Sequence, residues 1–322
     1  MQKSSILITW SSGFIGFHLS KFLLELWFYV VGIDNENDSY DQNLKKIRRG
    51  QLQKYVNFSF VQGNIKDGNL IKRLLKSYSI NLVVHLAAEA GVRGSLCNPR
   101  KYIDSNLLGF VSLLEECVKQ KVTKFIYASS SSIYSGDLWK KMAIKSETNT
   151  PKSLYAATKK ANELIAYSYS HNYPIQCIWL RFFSVYWEWW RPDMLYFQLL
   201  KKIYNQEIFF LYWDGSTQRD FTYIDDIIDG IYKTIVTDIP WKYELLNLWS
   251  SSPVNINFII SFFEEHTGLK LIKKQIPFHQ SDSAFTSANI SQTKKIIQRY
   301  PKVKIDEWMT KFLCWYQDFY NT

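Results

Sequence analysis

Residues 5–34 read SILITWSSGFIGFHLSKFLLELWFYVVGID, and this stretch decides the fold. The apolar, partly β-branched run at 5–9 is typical of a buried strand, and the amphipathic run from Phe14 to about Leu26 is typical of a helix. A second apolar run at 29–33 follows directly. Strand, helix and strand in this order predict a βαβ unit, whose two strands lie parallel in one sheet.

The turn between the first strand and the helix has the residues of a phosphate-binding loop. Gly13 and Gly16 let backbone approach a pyrophosphate and let the helix pack on the sheet. The helix starts at Phe14 and Ile15, where free N–H groups favour a phosphate. Asp34 ends the second strand, and its carboxylate accepts hydrogen bonds from ribose hydroxyls and repels a 2′-phosphate. The unit therefore predicts NAD as cofactor, in preference to NADP.

Trp10 stands where this loop requires its first glycine. That position tolerates no Cβ, and an indole there would fill the phosphate cradle. One interpretation is a degenerate relic that binds no cofactor. Other tryptophans argue against it, because they also occupy positions where glycine is expected: Trp27 at a helix end, and Trp187, Trp213 and Trp249 at turns.

The counts of glycine and tryptophan agree with this observation. Thirteen glycines in 322 residues is about 4%, below the usual ~7%, whereas twelve tryptophans is a high number. A gene in which UGA encodes glycine, translated with UGA as tryptophan, would give this pattern. The hypothesis covers Trp10, Trp27, Trp179, Trp187, Trp190, Trp213, Trp249 and Trp308. Trp189 and Trp315 are interpreted as true tryptophans.

Apolar strands and amphipathic helices alternate along the first half of the chain. Strands are predicted near 5–9, 29–33, 58–61, 81–86, 124–128 and 175–180, and later helices near 193–205, 224–237, 255–267 and 305–320. The alternation predicts a doubly wound, Rossmann-type α/β fold with a parallel sheet. We expect residues 1–180 to form the NAD-binding domain, with a returning segment near 221–248. Residues 181–322 are expected to form mainly a smaller, mixed α/β substrate-binding lobe.

The composition excludes several classes of protein. Hydrophobic residues make up 47% of the chain, which excludes disorder, and the net charge of +10 permits nucleic-acid binding. The lysines are evenly spread, so we expect no nucleic-acid partner and interpret the basic run at 45–49 as a solvated helix face. Four scattered cysteines fit no zinc or disulfide spacing, which predicts no metal site and a cytoplasmic location. The apolar stretch 14–33 carries charged residues and is not predicted to span a membrane.

A second group of polar residues predicts the chemistry. Tyr155 and Lys159 are four positions apart on a helix predicted to begin at Pro151, so they share one face. A nearby ammonium favours the phenolate and lowers the pKa of a tyrosine. The pair follows a strand that ends in the serine run 129–132, where a hydroxyl can bond the same substrate oxygen.

The order and spacing of these features resemble the extended short-chain dehydrogenase/reductase family, over essentially the whole chain. Several segments are also similar to those of UDP-glucuronate 4-epimerases: AGVR at 90–93, SLYAATKKANE at 153–163, RFFSVY at 181–186, RPDM at 191–194 and RDFTYIDD at 219–226. Three motifs in those enzymes read VYG, WGRPDM and NLG. Trp187, Trp190 and Trp249 therefore fall on glycines, and Trp189 falls on a tryptophan.

The resemblance implies a reaction and the residues that carry it. UDP-glucuronate would become UDP-galacturonate through a transient 4-keto sugar and hydride return, with NAD bound tightly throughout. Tyr155 would be the base, Lys159 would lower its pKa and hold the nicotinamide ribose, and Ser130 would share the substrate oxygen. The implied cofactor-binding residues are Trp10, Gly13, Phe14, Ile15, Gly16, Asp34, Asn64, Ile65, Ala87 and Lys159. The implied substrate-binding residues are Arg93, Ser131, Ser132, Ser184, Arg191, Arg219 and Asp282.

Ser131 and Ser132 bear on the choice between related enzymes. Related dehydratases carry Asp and Glu there, the acid and base of water elimination, so dehydration is disfavoured. Hydroxyls suit a carboxylate substrate because they bind it without repulsion. Two alternatives stay open: a neutral UDP-hexose 4-epimerase, and an inactive Rossmann-fold relic if Trp10 is genuine. The resemblance also implies a homodimer formed through helices near 99–119 and 151–173.

Overall fold

The computed structural model describes residues 5–135, 141–186, 194–212, 214–277, 285–303 and 305–320. Their strands are β1 (Ser5–Thr9), β2 (Tyr29–Asp34), β3 (Phe58–Gln62), β4 (Leu82–His85), β5 (Lys124–Ser130), β6 (Gln176–Phe182), β7 (Ser184–Tyr186), β8 (Phe209–Tyr212), β9 (Gln218–Tyr223), β10 (Tyr243–Leu248), β11 (Pro253–Asn255) and β12 (Lys273–Ile276). Their helices are α1 (Phe14–Glu25), α2 (Gln42–Leu52), α3 (Gly68–Ser77), α4 (Val92–Cys97), α5 (Pro99–Tyr102), α6 (Gly109–Lys119), α7 (Leu154–Asn172), α8 (Leu195–Tyr204), α9 (Ile224–Val236), α10 (Ile256–Thr267), α11 (Ser291–Ile297) and α12 (Ile305–Tyr320). A π-helical segment, Ile103–Leu108, joins α5 to α6, and a 3₁₀ turn, Ser131–Ile133, follows β5.

Seven strands form one parallel sheet in the order β10-β6-β5-β4-β1-β2-β3. The chain proceeds outward from β1 to β3 on one side, and then crosses back to β4 on the other side of β1. Ligands of such sheets bind at this reversal, outside the carboxyl ends of the strands. The topology therefore places the candidate site beyond the ends of β1 and β4.

Two apolar clusters cover the two faces of this sheet. Side chains alternate along a strand, so Ile6 and Ile8 enter one cluster while Leu7 enters the other. Helices α1 and α9 supply residues to the first cluster, and α3, α6 and α7 supply residues to the second. The doubly wound, Rossmann-type fold predicted from the sequence is confirmed.

Two smaller sheets lie in the later part of the chain. One has the order β11-β9-β7, and the other pairs β12 with β8. Strand β10 instead returns to the large sheet and pairs with β6, as in Leu245 opposite Trp179. None of the helices in the described ranges is long and apolar enough to cross a bilayer.

Two local predictions were wrong. Helix α7 begins at Leu154 and not at Pro151, because the Ser153 side chain accepts a hydrogen bond from the Ala156 amide, 3.1 Å away, and so caps the helix there. The basic run at 45–49 is not a solvated face. Lys45 and Arg48 are completely buried, since they share the inner side of α2.

Candidate active site

One cavity of about 500 Å³ lies at the carboxyl ends of the central strands. Its wall brings together Tyr155, Lys159 and the serine run 129–132. Six further predicted site residues line it: Trp10, Phe14, Ile15, Arg93, Ser184 and Arg219. Residues from the glycine turn, the serine run, α7 and β9 therefore face one common space, as sequence reasoning expected.

Helix α7 carries the tyrosine and the lysine of this site. Lys159 is almost fully buried, and its Nζ donates to the Ala128 carbonyl oxygen at 2.9 Å and lies 4.8 Å from the centre of the Tyr127 ring. Burial disfavours the charged ammonium and lowers the pKa of Lys159 to about 7, while the Glu163 charge acts in the opposite direction. Tyr155 is half-buried, one turn earlier on the helix, and its ring meets Tyr102 edge-on at 6.2 Å.

The serine run turns the chain at the end of β5. The Ser130 hydroxyl accepts a hydrogen bond from the Ser132 amide at 3.2 Å and lies 3.2 Å from the Ser132 hydroxyl. These bonds hold the 3₁₀ turn, so the hydroxyls of residues 130, 131 and 132 are presented to the cavity from one rigid bend.

A buried ion pair connects strand β6 to helix α7, and a serine of β5 binds it. Arg181 Nε and Nη2 donate to the two carboxylate oxygens of Glu163 at 2.9 and 2.8 Å, and both side chains are 2% exposed. The Ser129 hydroxyl donates to the same carboxylate at 2.6 Å. Arg181 also donates to the Tyr134 hydroxyl at 2.8 Å. Strands β5 and β6 and helix α7 are thus fixed relative to one another directly behind the cavity.

A second cavity of about 230 Å³ lies beside the glycine turn, and its wall includes Asp34, Asn64, Ile65 and Ala87. Asp34 is 3% exposed and accepts hydrogen bonds from the amides of Ser12 at 3.0 Å and Glu36 at 2.8 Å. Burial raises the pKa of the Asp34 carboxyl, while those two amides lower it. The predicted adenosine-binding residues therefore share one pocket.

The turn from β1 to α1 has the backbone of a diphosphate cradle. Gly13 is the N-cap of α1, and a Cβ at Gly16 would collide with the carbonyl oxygen of Trp10. The helix start therefore offers its free amides to an anion. The Trp10 side chain does not fit this purpose, because it lies against Gly13 and borders both cavities. The chain fits NAD everywhere in the cradle except at this indole.

Two predicted substrate-binding residues, Arg191 and Asp282, lie outside the described residues. Arg93 on α4 and Arg219 on β9 both line the larger cavity. Beside Arg219, the Asp220 carboxylate is buried, and accepts hydrogen bonds from the Ser250 hydroxyl and from the Ala288 amide at 3.3 Å. Burial raises the pKa of Asp220 to about 6.

Sequence reasoning missed part of the cavity wall and the support of the glycine turn. Phe209, Phe210, Leu211 and Thr217 also line the larger cavity. The apolar run that forms β8, shortly before Asp214 and Gly215, was the available signal. Arg48 donates to the carbonyl oxygen of Ser12 at 3.1 Å and so fixes the turn from behind. Its spacing from Leu44 and Leu52 on one helix face was the signal for its burial.

The family model described as the NAD dependent epimerase/dehydratase family matches residues 6–244. The chain belongs to this family. A UDP-glucuronate 4-epimerase of Thermodesulfobacterium geofontis is 41% identical over 317 residues, which cover 96% of this chain and 95% of that protein. UDP-glucuronate 4-epimerase 4 of Arabidopsis thaliana is 38% identical and matches 98% of this chain and 76% of its own length.

A solved member of the family has the same overall structure. The UDP-glucuronic acid 4-epimerase of Bacillus cereus, crystallised with UDP-glucuronic acid and NAD, superimposes with a TM-score of 0.92 at 31% identity. The match covers 98% of this chain and all of that one. Membership of the epimerase family rests on the comparisons of sequence and structure. The grouping of Tyr155, Lys159 and the serine run in one cavity is a separate observation.

Proposed function

We propose that this protein is an NAD-dependent UDP-glucuronate 4-epimerase, an isomerase that inverts C4′ of UDP-glucuronate to give UDP-galacturonate. The observation that carries the proposal is the shared cavity wall of Tyr155, Lys159, Ser130, Ser131 and Ser132. The names of the relatives support the same activity.

Tyr155 is the proposed base, which removes the proton of the 4′-hydroxyl and returns it when the sugar is reduced. The Lys159 ammonium one turn away stabilises the phenolate by its charge and holds the nicotinamide ribose. Ser130 donates a hydrogen bond to the same substrate oxygen. A 4-keto sugar forms, turns over about its diphosphate linkage, and is reduced on its opposite face.

When bound, NAD would supply the hydride acceptor for oxidation at C4′ and the hydride donor for the reduction that follows in the same cycle. The amides of Gly13, Phe14 and Ile15 are proposed to hold its diphosphate, with Gly16 allowing the close approach. Asp34 would bind the adenosine ribose. Asn64, Ile65 and Ala87 border the pocket proposed for the adenine.

Ser131, Ser132 and Ser184 are proposed to bind the substrate carboxylate. A hydroxyl donates a hydrogen bond to a carboxylate without the repulsion that an acidic side chain would add. Positions 131 and 132 carry serines, where a dehydratase has the acid and the base of water elimination. These serines therefore favour epimerisation of a uronic acid over elimination of water.

Arg93 and Arg219 are proposed to bind the phosphates or the carboxylate of the substrate, since a guanidinium fork matches either group. Arg191 is proposed for the same role, and Asp282 for contact with the nucleotide. The last two lie outside the described residues, so their support is the sequence motif alone.

The activity is tested with purified protein shown to hold NAD, UDP-glucuronate as substrate and proton NMR of C4′ as readout. We expect UDP-galacturonate to form, and UDP-glucose offered in parallel to stay unchanged. Tyr155→Phe should lower kcat about 10²–10⁴-fold without changing the amount of bound NAD, because it removes only the proton acceptor. Conversion of UDP-glucose alone would point to the neutral-hexose alternative, and no conversion of either would contradict the proposal.

The protein is further proposed to be a cytoplasmic homodimer. Helix α7 exposes Leu164 and Tyr167, and Leu108 before α6 is also exposed, at 60%, 53% and 57%. Exposed apolar residues on neighbouring helices suit an interface with a second copy of the chain. All four cysteines are free thiols, which fits a reducing compartment.

The division into two lobes is also a proposal. The large sheet takes its strands from residues before 183 and from β10 in the expected returning segment. Strands β7, β8, β9, β11 and β12 form the two smaller sheets beyond it. This arrangement supports an NAD-binding domain of 1–180 with a return near 221–248, and a substrate lobe formed mainly by 181–322.

A further inference from the structure

The Trp10 indole occupies the space between the two cavities of the site. Trp10, together with Ala88, lines both the 500 Å³ cavity with Tyr155 and the 230 Å³ cavity with Asp34. A Cβ built on Gly13 would lie 2.7 Å from Cδ2 of the indole, so the ring rests on the N-cap of α1. A dinucleotide diphosphate must pass over this same N-cap, because it links the two halves of the cofactor.

The backbone at Trp10 has nonetheless kept the conformation of a glycine turn. Its φ is +60°, a left-handed value that costs a residue with a Cβ roughly 1–2 kcal/mol. The Trp10 amide donates to the Ile33 carbonyl oxygen at 2.8 Å, and the Gly13 amide donates to the Trp10 carbonyl oxygen at 2.9 Å. The main chain thus forms the cradle, and the side chain fills it.

Trp27 occupies the usual glycine position at the end of α1. Its amide donates to Leu24 at 2.9 Å and the Phe28 amide donates to Leu23 at 3.0 Å, which is the hydrogen-bond pattern of a Schellman motif. Trp27 is the left-handed residue of that motif, with φ +63°, and its side chain is 73% exposed. The indole gains little packing there that could offset the backbone cost.

Trp249 is misplaced for a different reason. Its φ is not left-handed, which differs from the glycine-turn interpretation of the sequence, but its indole is fully buried beside Phe183. The Trp249 and Phe183 rings crowd each other more than ordinary aromatic pairs do, whose centroids lie about 4.5–7 Å apart, although the indole Nε1 donates to the Arg181 carbonyl oxygen at 3.2 Å. Glycine would leave Phe183 its full space.

Other residues show that the features at Trp10 and Trp27 are unusual. The remaining non-glycine residues with positive φ among the described ones are Glu36, Ser79, Lys121, Gln206, Ser251 and Gln298, all of them polar. Trp315 is packed normally on α12, with ring centroids 5.9 Å from Phe312 and 5.2 Å from Phe319. Tryptophan is therefore not misplaced throughout the chain.

We propose that the functional protein has glycine at positions 10, 27 and 249, and that tryptophan stands there because a glycine-coding UGA codon was read as tryptophan. Glycine at position 10 opens the diphosphate subsite between the two cavities. The expected gain in NAD binding at position 10 rests on the proposed function. The expected gains in stability at positions 27 and 249 rest on backbone conformation and packing alone.

The coding sequence and the peptides of the natural protein test the proposal directly. We expect UGA codons at 10, 27 and 249, a UGG codon at 315, and tryptic peptides from the native cells whose masses match glycine at the three positions. UGG at 10, 27 or 249, or a native peptide with tryptophan at one of them, would overturn the proposal.

Stability measurements on the full chain give a second test that needs no activity. Trp249→Gly normally counts as a severe core deletion, yet we expect its Tm to rise, and we expect Trp27→Gly to raise Tm by about 2 °C or more. Trp315→Gly is the matched control and should lower Tm, since it removes a packed ring from a helix. A lower Tm for Trp249→Gly would contradict the proposal.

Binding of NAD⁺ by calorimetry tests position 10 separately. The comparison uses Trp249→Gly as the common background, so that both proteins are folded. Adding Trp10→Gly should strengthen NAD⁺ binding more than tenfold, whereas adding Trp315→Gly should not. A smaller gain at position 10 would overturn the proposal there. If NAD⁺ binds tightly but UDP-glucuronate is not converted, the epimerase proposal fails and the glycine proposal stands.

Discussion

At Lys159, burial opposes ionisation more strongly than the neighbouring Glu163 supports it. The side chain is 3% exposed, and its pKa falls from an ordinary 10.5 to about 7. In the unfolded chain the same lysine takes up its proton near pH 10.5. Between these values the unfolded state binds more protons, so the free energy of unfolding rises with pH from about 7 to about 10.5. The site thus carries a stability cost that is largest at and below neutral pH.

Lys159→Met tests this cost. Methionine keeps the length of the side chain without the charge, so the variant should gain stability relative to the parent at pH 6, by an amount on the order of a few kcal/mol, and gain less at pH 10. Urea unfolding at both pH values measures the difference. The neighbouring Lys160→Met, whose side chain is half-buried, serves as control and should shift stability equally at both. An equal gain for Lys159→Met at pH 6 and pH 10 would contradict the assignment.

The hydroxyls of residues 130, 131 and 132 in the serine run are presented from one bend, so we expect them to act together on the substrate. A 4-keto uronic acid is a β-keto acid, and it loses CO₂ when the carboxylate bond stands perpendicular to the carbonyl. The electrons of the broken C–C bond then form an enolate, which takes up a proton to give a 4-keto pentose. We propose that Ser131, Ser132 and Ser184 hold the carboxylate away from that geometry.

The Ser131→Ala/Ser132→Ala/Ser184→Ala variant should therefore release a UDP-4-keto-pentose and CO₂ from UDP-glucuronate. Mass spectrometry of the products detects the lost carboxyl group. Ser135→Ala is the matched control. Ser135 lies just beyond the 3₁₀ turn, and its hydroxyl donates to the Glu147 carbonyl oxygen. A product mixture in which UDP-galacturonate stays the sole sugar nucleotide formed would refute this role of the serines.

The Glu163–Arg181 pair joins three elements, so its loss should be felt beyond one contact. Glu163→Gln leaves a buried guanidinium without its counter-charge, and we expect a loss of about 3 kcal/mol in the free energy of unfolding. Activity should also fall, because the Ser129 hydroxyl loses its charged acceptor. Glu115→Gln breaks the half-exposed pair with Lys119 and should change stability little. If both substitutions lowered the free energy of unfolding equally, the buried pair would contribute no more to stability than the exposed one.

The features predicted correctly depend on residues close together in the chain. The features that were missed depend on contacts between residues far apart in the chain. Strand β1 and helix α1 were predicted because their apolar periodicity is local, and Tyr155 with Lys159 because they lie one turn apart. The spacing of Arg48 from Leu44 and Leu52 indicates its buried face, but its partner, the Ser12 carbonyl oxygen, lies 36 positions away in the chain. Helix α7 starts where it does because Ser153 caps it. Other polar residues near Pro151 could also have served as the cap, and the sequence does not choose among them. The apolar run of β8 indicates a strand, but its pairing with β12, which pairs Phe209 with Lys273, joins distant parts of the chain.

At the scale of the whole molecule, the proposed homodimer depends on the exposed apolar residues Leu108, Leu164 and Tyr167. Leu164→Glu would place a carboxylate in an interface that excludes water, so the dimer should dissociate to monomers. Sedimentation at micromolar protein concentration reads the mass directly. Val56→Glu is the matched control, because Val56 is 88% exposed and lies outside these helices, and this variant should stay dimeric. A Leu164→Glu protein that still sediments as a dimer would place the interface elsewhere, and a monomeric parent would refute the dimer itself.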